Sequence, residues 1–356
     1  MSDSIRKFTI TAAIPTYKRP VKFRRALESV LGQTESPDTI IVGDDGSDEE
    51  TRCVVESFRD PRIVYVPRQP KRRMTDNWDF VMRWPRGGLV ALLEDDNFWL
   101  PHHLANAGRL FAKFPSAGLY HAGHQEAWEE NGRMEIYRTC LPRWQSRLRE
   151  EGGGIVQAEE VVLDALVCGS INSSTVVVRR EALDSMPSFD HRYLMGMDTL
   201  MWTRMALAYP CICGPELDTI YTYHGENVST AEISTRRAGR QARAVRRMVL
   251  SEALAAGVVT VARLRSFLLT LSPADLSGVL TMMAHPATGP SIRSLAKEVW
   301  RKRADARHST GYMRATGLLG FGLLRHVDWI DRLLSTTVRL HMAGRVLAPK
   351  ARSMSS

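Results

Sequence analysis

The sequence predicts an α/β protein: a Rossmann-like, mostly parallel sheet with helices on both faces, followed by a C-terminal helical appendage. Three observations carry this. Over the first hundred residues, short apolar runs alternate with segments of helical periodicity. Acidic residues stand directly behind one such run, in Leu92-Leu93-Glu94-Asp95-Asp96-Asn97, the end of a parallel strand at which open α/β sheets bind their ligands. Charge also divides unevenly: residues 1–230 carry 27 Lys plus Arg against 32 Asp plus Glu, and residues 231–356 carry 21 against 7. The division between the α/β domain and the basic helical region is therefore placed at residue 230.

Phe8 to Ile14 is the first apolar run, alternating with threonine and closing on Pro15. Phe23, Ala26, Leu27, Val30 and Leu31 then recur at helical spacing, with Gly32 as the stop. Thr39 to Gly43 is a second strand, after which Ser47 and Glu50 have the spacing of a capping box that opens the next helix. Arg62 to Val66 is a third. A helix through Asn77, Phe80 and Val81 leads past Gly87-Gly88 into the fourth strand, Leu89 to Leu93. Pro101 to Phe114 reads as helix, Gly118 to Trp128 and Met134 to Thr139 as strands around the turn Asn131-Gly132, and Ile171 to Val178 as the clearest later strand. Beyond residue 231, Arg236, Arg240, Arg243 and Arg247 share one helical face and Ala242, Val245, Val249 and Ala253 another. Ser272-Pro273-Ala274-Asp275 starts a further helix, and Leu318 to Val338 mixes Leu, Trp and Phe with scattered Arg.

The chain has 356 residues and 44% hydrophobic composition, enough for one large domain plus an appendage. Its five cysteines form no CxxC pair, which argues against a disulfide framework and a zinc site and for a reducing compartment. Phe8 to Ile14 is too short and polar for a signal peptide, and no run reaches the ~18 apolar residues of a spanning helix. A cytoplasmic location is expected.

Adjacent carboxylates such as Asp95 and Asp96 repel unless a cation or ligand neutralises them, and hard oxygen donors suit Mg²⁺ or Mn²⁺ holding a diphosphate. Alone, the Asp-Asp pair reads as an acidic turn before the helix that Pro101 opens. Two other strand ends alter that reading. Ile14-Pro15-Thr16-Tyr17-Lys18-Arg19 offers a hydroxyl, an aromatic face and two cations, and Asp44-Asp45-Gly46-Ser47-Asp48 offers carboxylates for a base N–H or ribose hydroxyl. Strand ends one, two and four would line one edge of the sheet.

Together these segments resemble GT-A glycosyltransferases, above all the inverting family 2 type that includes the spore-coat polysaccharide transferase. The acidic turn resembles the DXD element, with Glu94 where many members have their first Asp. The resemblance implies that Pro15, Thr16, Tyr17, Arg19, Asp44 and Asp45 form the nucleotide side, and that Asp95, with Glu94, faces the ribose or donor sugar. Asp96 would be the main ligand of Mn²⁺ or Mg²⁺. Lys71, Arg72 and Arg73 precede the helix of Asn77, and Arg73 with Asn77 completes the donor-binding set. Ser170 to Arg180 resembles the strand that ends in a double Arg. Gly196-Met197-Asp198-Thr199-Leu200 resembles the helix start that carries the catalytic base, so Asp198 is the expected base; its plain structural alternative is a helix N-cap. Tyr221-Thr222-Tyr223-His224-Gly225-Glu226-Asn227-Val228-Ser229 resembles the family's Tyr-x-x-His-x-x-Asn-x-Ser ending, in which His224 would touch the metal or the diphosphate. His121, His124, His102 and His103 show no ligand spacing and read as structural.

The implied activity is transfer of a sugar from a nucleotide diphosphate sugar to a sugar or lipid-linked acceptor hydroxyl, in polysaccharide biosynthesis, with inversion. A nucleotidyltransferase is the first alternative, but Pro15-Thr16-Tyr17 is not the glycine-rich loop such enzymes use. A noncatalytic, membrane-associated scaffold is the second, and polar ligand-type groups at three strand ends, with aspartates at two of them, argue against it. The basic tail suits peripheral contact with an anionic leaflet on its inner face, an acidic partner or a solvated surface. Nucleic acid is not expected, because its aromatics do not interleave with a basic sheet.

Overall fold

The computed structural model describes residues 8–304, apart from 86, 131, 226 and 228–235. Glu226, Val228, Ser229, Asn131 and the stretch Leu318 to Val338, singled out above, lie outside the described residues. The chain divides into two compact units, Met1–His224 and Gly225–Ser356.

The first unit is built on one sheet. Its strands are β1 (Ile10–Thr16), β2 (Thr39–Asp44), β3 (Ile63–Pro67), β4 (Leu89–Leu92), β5 (Phe98–Trp99), β6 (Leu119–Glu130), β7 (Arg133–Cys140), β8 (Gly154–Val156), β9 (Val177–Arg179) and β10 (Cys211–Tyr223). They follow the order β3-β2-β1-β4-β9-β6-β10-β5, with β7 paired to β6 and β8 to β10. The run β3-β2-β1-β4 is parallel throughout. β9 is antiparallel to both β4 and β6, and β6 and β10 are again parallel. Connecting helices are α1 (Pro20–Leu31), α2 (Glu49–Phe58), α3 (Met74–Arg83), α4 (His103–Lys113), α5 (Gln145–Arg149), α6 (Ala158–Ala165), α7 (Arg180–Asp184) and α8 (Met197–Ala208).

Both faces of β1, β2 and β4 are buried, which is why they read as continuous apolar runs, while β3 at the sheet edge is only partly buried. Alternate residues serve opposite cores: Ala13, Ile41, Val90 and Leu92 pack on one side with Trp78 and Trp202, while Ala12, Ile14, Val42 and Ala91 pack on the other with Phe23 and Phe111. β4 pairs with β1 only as far as Ala13, so the N–H that Pro15 lacks removes no bond from that ladder. Helix α3 lies close under β2: a Cβ on Gly43 would stand 2.6 Å from Asn77 Oδ1 and 2.6 Å from Val81 Cγ1.

Three local expectations are corrected. Asp48, not Ser47, caps α2, its carboxylate accepting from Thr51 N at 2.9 Å, and Ser47 is left-handed at φ 47°. Ile171 to Val178 is not one strand. Asn172 accepts from Ser174 N at 3.0 Å and starts a 3₁₀ turn at Ser173–Thr175, leaving only the short β9. Local side-chain bonds of this kind compete with a ladder. Finally, Gly196 (φ 92°) is the N-cap of α8, and Asp198 is the second residue of that helix.

The second unit consists, among the described residues, of α9 (Arg236–Ala255), α10 (Val261–Thr270), α11 (Pro273–Met283) and α12 (Pro290–Ala304). Val245, Val249 and Ala253 of α9 are buried, matching the expected apolar face, and Ser272 caps α11 by accepting from Asp275 N. Among the described residues no helix is long and apolar enough to cross a membrane.

Candidate functional site

The parallel order β2-β1-β4 brings the carboxyl ends of these strands together, and the acidic turn after β4 closes over β1. Asp95 Oδ2 accepts from Thr16 Oγ1 at 2.7 Å and from Tyr17 N at 3.2 Å. Arg19, at the start of α1, donates through Nη1 to Asp95 Oδ1 at 3.2 Å and to Asp96 Oδ2 at 2.8 Å. His224, just past β10, places Nε2 3.2 Å from the same Asp96 oxygen. Burial raises the Asp95 pKa, the neighbouring Asp96 charge adds to this, and Arg19 opposes it. The Asp96 carbonyl accepts from Arg25 and from the Thr222 hydroxyl, so the turn is anchored to both α1 and β10.

Glu94 faces the other way. Its Oε2 accepts from Ser174 Oγ at 2.9 Å and from Asn97 Nδ2 at 3.0 Å. Ser173, the neighbour of Ser174 on the 3₁₀ turn, donates to Asp198 Oδ2 at 3.3 Å and accepts from Trp202 Nε1 at 3.2 Å. The turn therefore spans two carboxylates, one from the β4 end and one from the first turn of α8. Desolvation raises both pKa values, and at Glu94 the Asp96 and Asp198 charges raise it further.

At the end of β2, Asp44 accepts from Tyr65 OH at 2.8 Å and from Gly46 N at 2.9 Å; burial raises its pKa. Asp45 accepts from Arg72 N at 2.8 Å. Gly46 is needed for close approach rather than for its φ, since a Cβ there would lie 2.9 Å from Lys18 Cγ. Lys71 Nζ sits 3.8 Å from the Tyr17 ring centroid, and its bond to the hydroxyl lowers the Tyr17 pKa. Arg73 is the N-cap residue of α3. Asn77 is buried, with Nδ2 bonded to Gly43 O at 2.8 Å, so its amide holds β2 from beneath.

Asp96 Oδ2 and His224 Nε2 are separated by 3.2 Å, near the ~3.0 Å between two neighbouring ligands of an octahedral ion with ~2.1 Å bonds, and Asp96 Oδ2 also accepts from Arg19. Arg19 supplies a positive charge at the same two aspartates, which answers their mutual repulsion.

Sequence reasoning missed Ser173 and Ser174 as groups that bridge carboxylates, Arg25 and Thr222 as anchors of the acidic turn, and Tyr65 as the partner of Asp44. Their chemistry is ordinary and their partners are distant in sequence, so no local signal marks them. His102 and His103 meet the buried Asp218, at 3.4 and 3.0 Å, and His121 accepts from Trp144, in keeping with structural roles. A depression lined by Thr9, Asp38, Arg83, Trp84 and Arg180 opens at the amino ends of β1, β2 and β4, opposite the carboxylates.

Residues 11–170 match the family Glycosyl transferase family 2. An uncharacterized protein of Mycobacterium tuberculosis is 24% identical over 230 residues, 64% of this chain and 71% of that protein. The GalNAc(5)-diNAcBac-PP-undecaprenol beta-1,3-glucosyltransferase of Campylobacter jejuni is 23% identical over 201 residues, 55% of this chain and 59% of that enzyme, less than two thirds of its length. Among solved structures, S. aureus TarS (residues 1–349) in complex with UDP-GlcNAc is similar with a TM-score of 0.55 at 16% identity, covering 92% of each chain. Likeness at that identity is a statement about fold.

Proposed function

We propose that this chain, whose residues 11–170 match Glycosyl transferase family 2 and whose fold is similar to that of TarS, moves a sugar from a nucleotide diphosphate sugar to an acceptor hydroxyl with inversion at C1. One observation carries this reading: the Asp95-Asp96 turn and Asp198 meet at one sheet edge, joined through Glu94, Ser174 and Ser173. In the reaction the acceptor oxygen attacks C1, the bond from C1 to the diphosphate oxygen breaks with its electron pair, and the acceptor proton passes to the Asp198 carboxylate. Thr16, Tyr17 and Asp45 hold the base and ribose, and Asp95 orients the ribose or donor sugar. Arg73 and Lys71 approach the diphosphate. Asp96 and His224 would hold Mn²⁺ or Mg²⁺, whose charge offsets that of the departing diphosphate.

The Campylobacter relative is named for a PP-undecaprenol-linked acceptor, which supports a lipid-linked acceptor here. The test is a panel of nucleotide sugars, with and without Mn²⁺ or Mg²⁺ and candidate acceptors. Metal-dependent release of nucleoside diphosphate that rises with acceptor, and a product of inverted anomeric configuration, is the expected result. Release of pyrophosphate from a nucleoside triphosphate and a sugar phosphate would overturn it in favour of nucleotidyl transfer.

The excess of basic residues in 231–356, 21 against 7 acidic, supports peripheral contact with an anionic leaflet. Each basic residue near such a surface contributes about 1 kcal/mol, screened beyond a Debye length. The full chain should co-sediment with phosphatidylserine-containing vesicles at low salt, release as salt rises, and ignore neutral vesicles. Equal recovery with both vesicle types removes the proposal.

A further inference from the structure

His124, Glu126 and Cys140 form a cluster that the transfer reaction does not use. They offer a ring nitrogen, a carboxylate oxygen and a thiol sulfur, all within 4.8 Å of one another. The sheet register explains the convergence. His124 and Glu126 are two residues apart on β6 and share a face, and Cys140 on β7 lies directly across from His124. The β6–β7 ladder shifts register between Glu126 and Ala127, a bulge at the edge of this cluster.

The imidazole there is poorly satisfied by the protein. His124 is 7% exposed, and its buried Nδ1 has no hydrogen-bond partner. Glu126 is 7% exposed; it bonds to the Cys140 thiol and the Tyr137 hydroxyl, and its contacts with Arg138 Nη1 and Tyr223 OH are both 3.5 Å. An orphaned, buried imidazole nitrogen is costly unless a further group joins it.

We propose that His124, Glu126 and Cys140 bind a Zn²⁺ ion that clamps the β6–β7 hairpin, distinct from the hard cation of Asp96 and His224. Nitrogen, oxygen and sulfur donors together select a borderline ion of the Zn²⁺ kind over Mg²⁺ or Mn²⁺. Bonds of ~2.0–2.3 Å in tetrahedral geometry place ligand atoms ~3.3–3.7 Å apart, so small side-chain rotations close the site. Binding exchanges the thiol proton for the metal, and the fourth position takes water. The Arg138 side chain, 55% exposed, is free to turn outward when the cation takes its place beside Glu126. In this proposal a cross-strand arrangement stands against the absence of CxxC spacing, which from sequence argues against zinc, and His124 has the role of a ligand where the sequence reading has a structural residue.

The test uses the full chain stripped with a chelator. Titration with Zn²⁺ should show a site that survives Asp96→Ala and raises the melting temperature. Cys140→Ser and His124→Gln should each weaken this site by about 100-fold, the upper end of what even outer-sphere partners of a metal contribute, while leaving the circular dichroism spectrum of the chelated protein unchanged. Co²⁺ in the same site should give a sulfur-to-metal charge-transfer band that Cys140→Ser abolishes and Cys53→Ser, on α2, retains. Zn²⁺ binding that is absent, that persists in both ligand variants, or that disappears with Asp96→Ala overturns the proposal. If a ligand variant fails to fold, the wild-type Co²⁺ spectrum decides: no thiolate band, no site.

Discussion

Asp96→Ala abolishes the metal-dependent part of nucleoside diphosphate binding. The basis is local: Asp96 Oδ2 lies 2.8 Å from Arg19 Nη1 and 3.2 Å from His224 Nε2, and the residue is 5% exposed. Removing this carboxylate leaves an imidazole and Asp95, and Asp95 is already engaged by Thr16, Tyr17 and Arg19. Even second-layer partners of a metal contribute about 10- to 100-fold in affinity, so loss of a direct ligand should cost at least that. A titration of the nucleoside diphosphate with and without Mn²⁺ measures it. Wild type should bind more tightly with metal, and the mutant should bind equally weakly in both. The Asp96 carbonyl keeps its bonds to Arg25 and Thr222 in the mutant, so the melting curve should change little. Metal-enhanced binding of wild-type strength in Asp96→Ala would remove Asp96 from the metal site.

Much of this fold was legible because parallel strands buried on both faces must be apolar along their whole length. Ile10 to Ile14, Ile40 to Val42 and Leu89 to Leu93 show that signature, and each ends in polar residues where the sheet meets its ligand edge. What failed to show was decided by tertiary partners or by competition between neighbours. Ser47 and Asp48 are both capping residues, and only the left-handed backbone at Ser47 settles which one serves α2. Ile171 to Val178 has strand composition, yet the Asn172 side chain and the Thr175 hydroxyl bond to local backbone and turn the first half into 3₁₀ helix. That departure has a functional consequence, since the 3₁₀ turn sets Ser173 toward Asp198 and Ser174 toward Glu94. Those partners are 25 and 80 residues away, beyond any spacing rule. The pairing of His124 with Cys140 likewise needs the β6–β7 register, which a bulge displaces.

Asp198→Asn lowers kcat by about 10²- to 10⁴-fold, the usual contribution of a positioned general base, while donor affinity and melting temperature stay near wild type. Asn keeps the size of the side chain and an oxygen that can accept from Ser173 Oγ, now 3.3 Å from Asp198 Oδ2, but it cannot take the acceptor proton. The position within the first turn of α8 suits a carboxylate electrostatically, and Gly196 rather than Asp198 caps the helix, so the substitution removes no cap. The pH profile carries the sharper test. Burial raises the Asp198 pKa, and a base works only when deprotonated, so the wild-type rate should fall as pH drops through a value above the ordinary carboxylate range. Asp198→Asn should lack that limb. Glu94, linked through Ser174 on the same turn and itself raised by burial and by the charges of Asp96 and Asp198, is a second carboxylate able to produce an acid limb. Glu94→Gln therefore separates the two. If Asp198 is the base, Glu94→Gln retains the acid limb, because the Asp198 pKa is raised chiefly by its own burial. A limb that disappears with Glu94→Gln and survives in Asp198→Asn, together with a near-normal kcat in the latter, would move the base to Glu94.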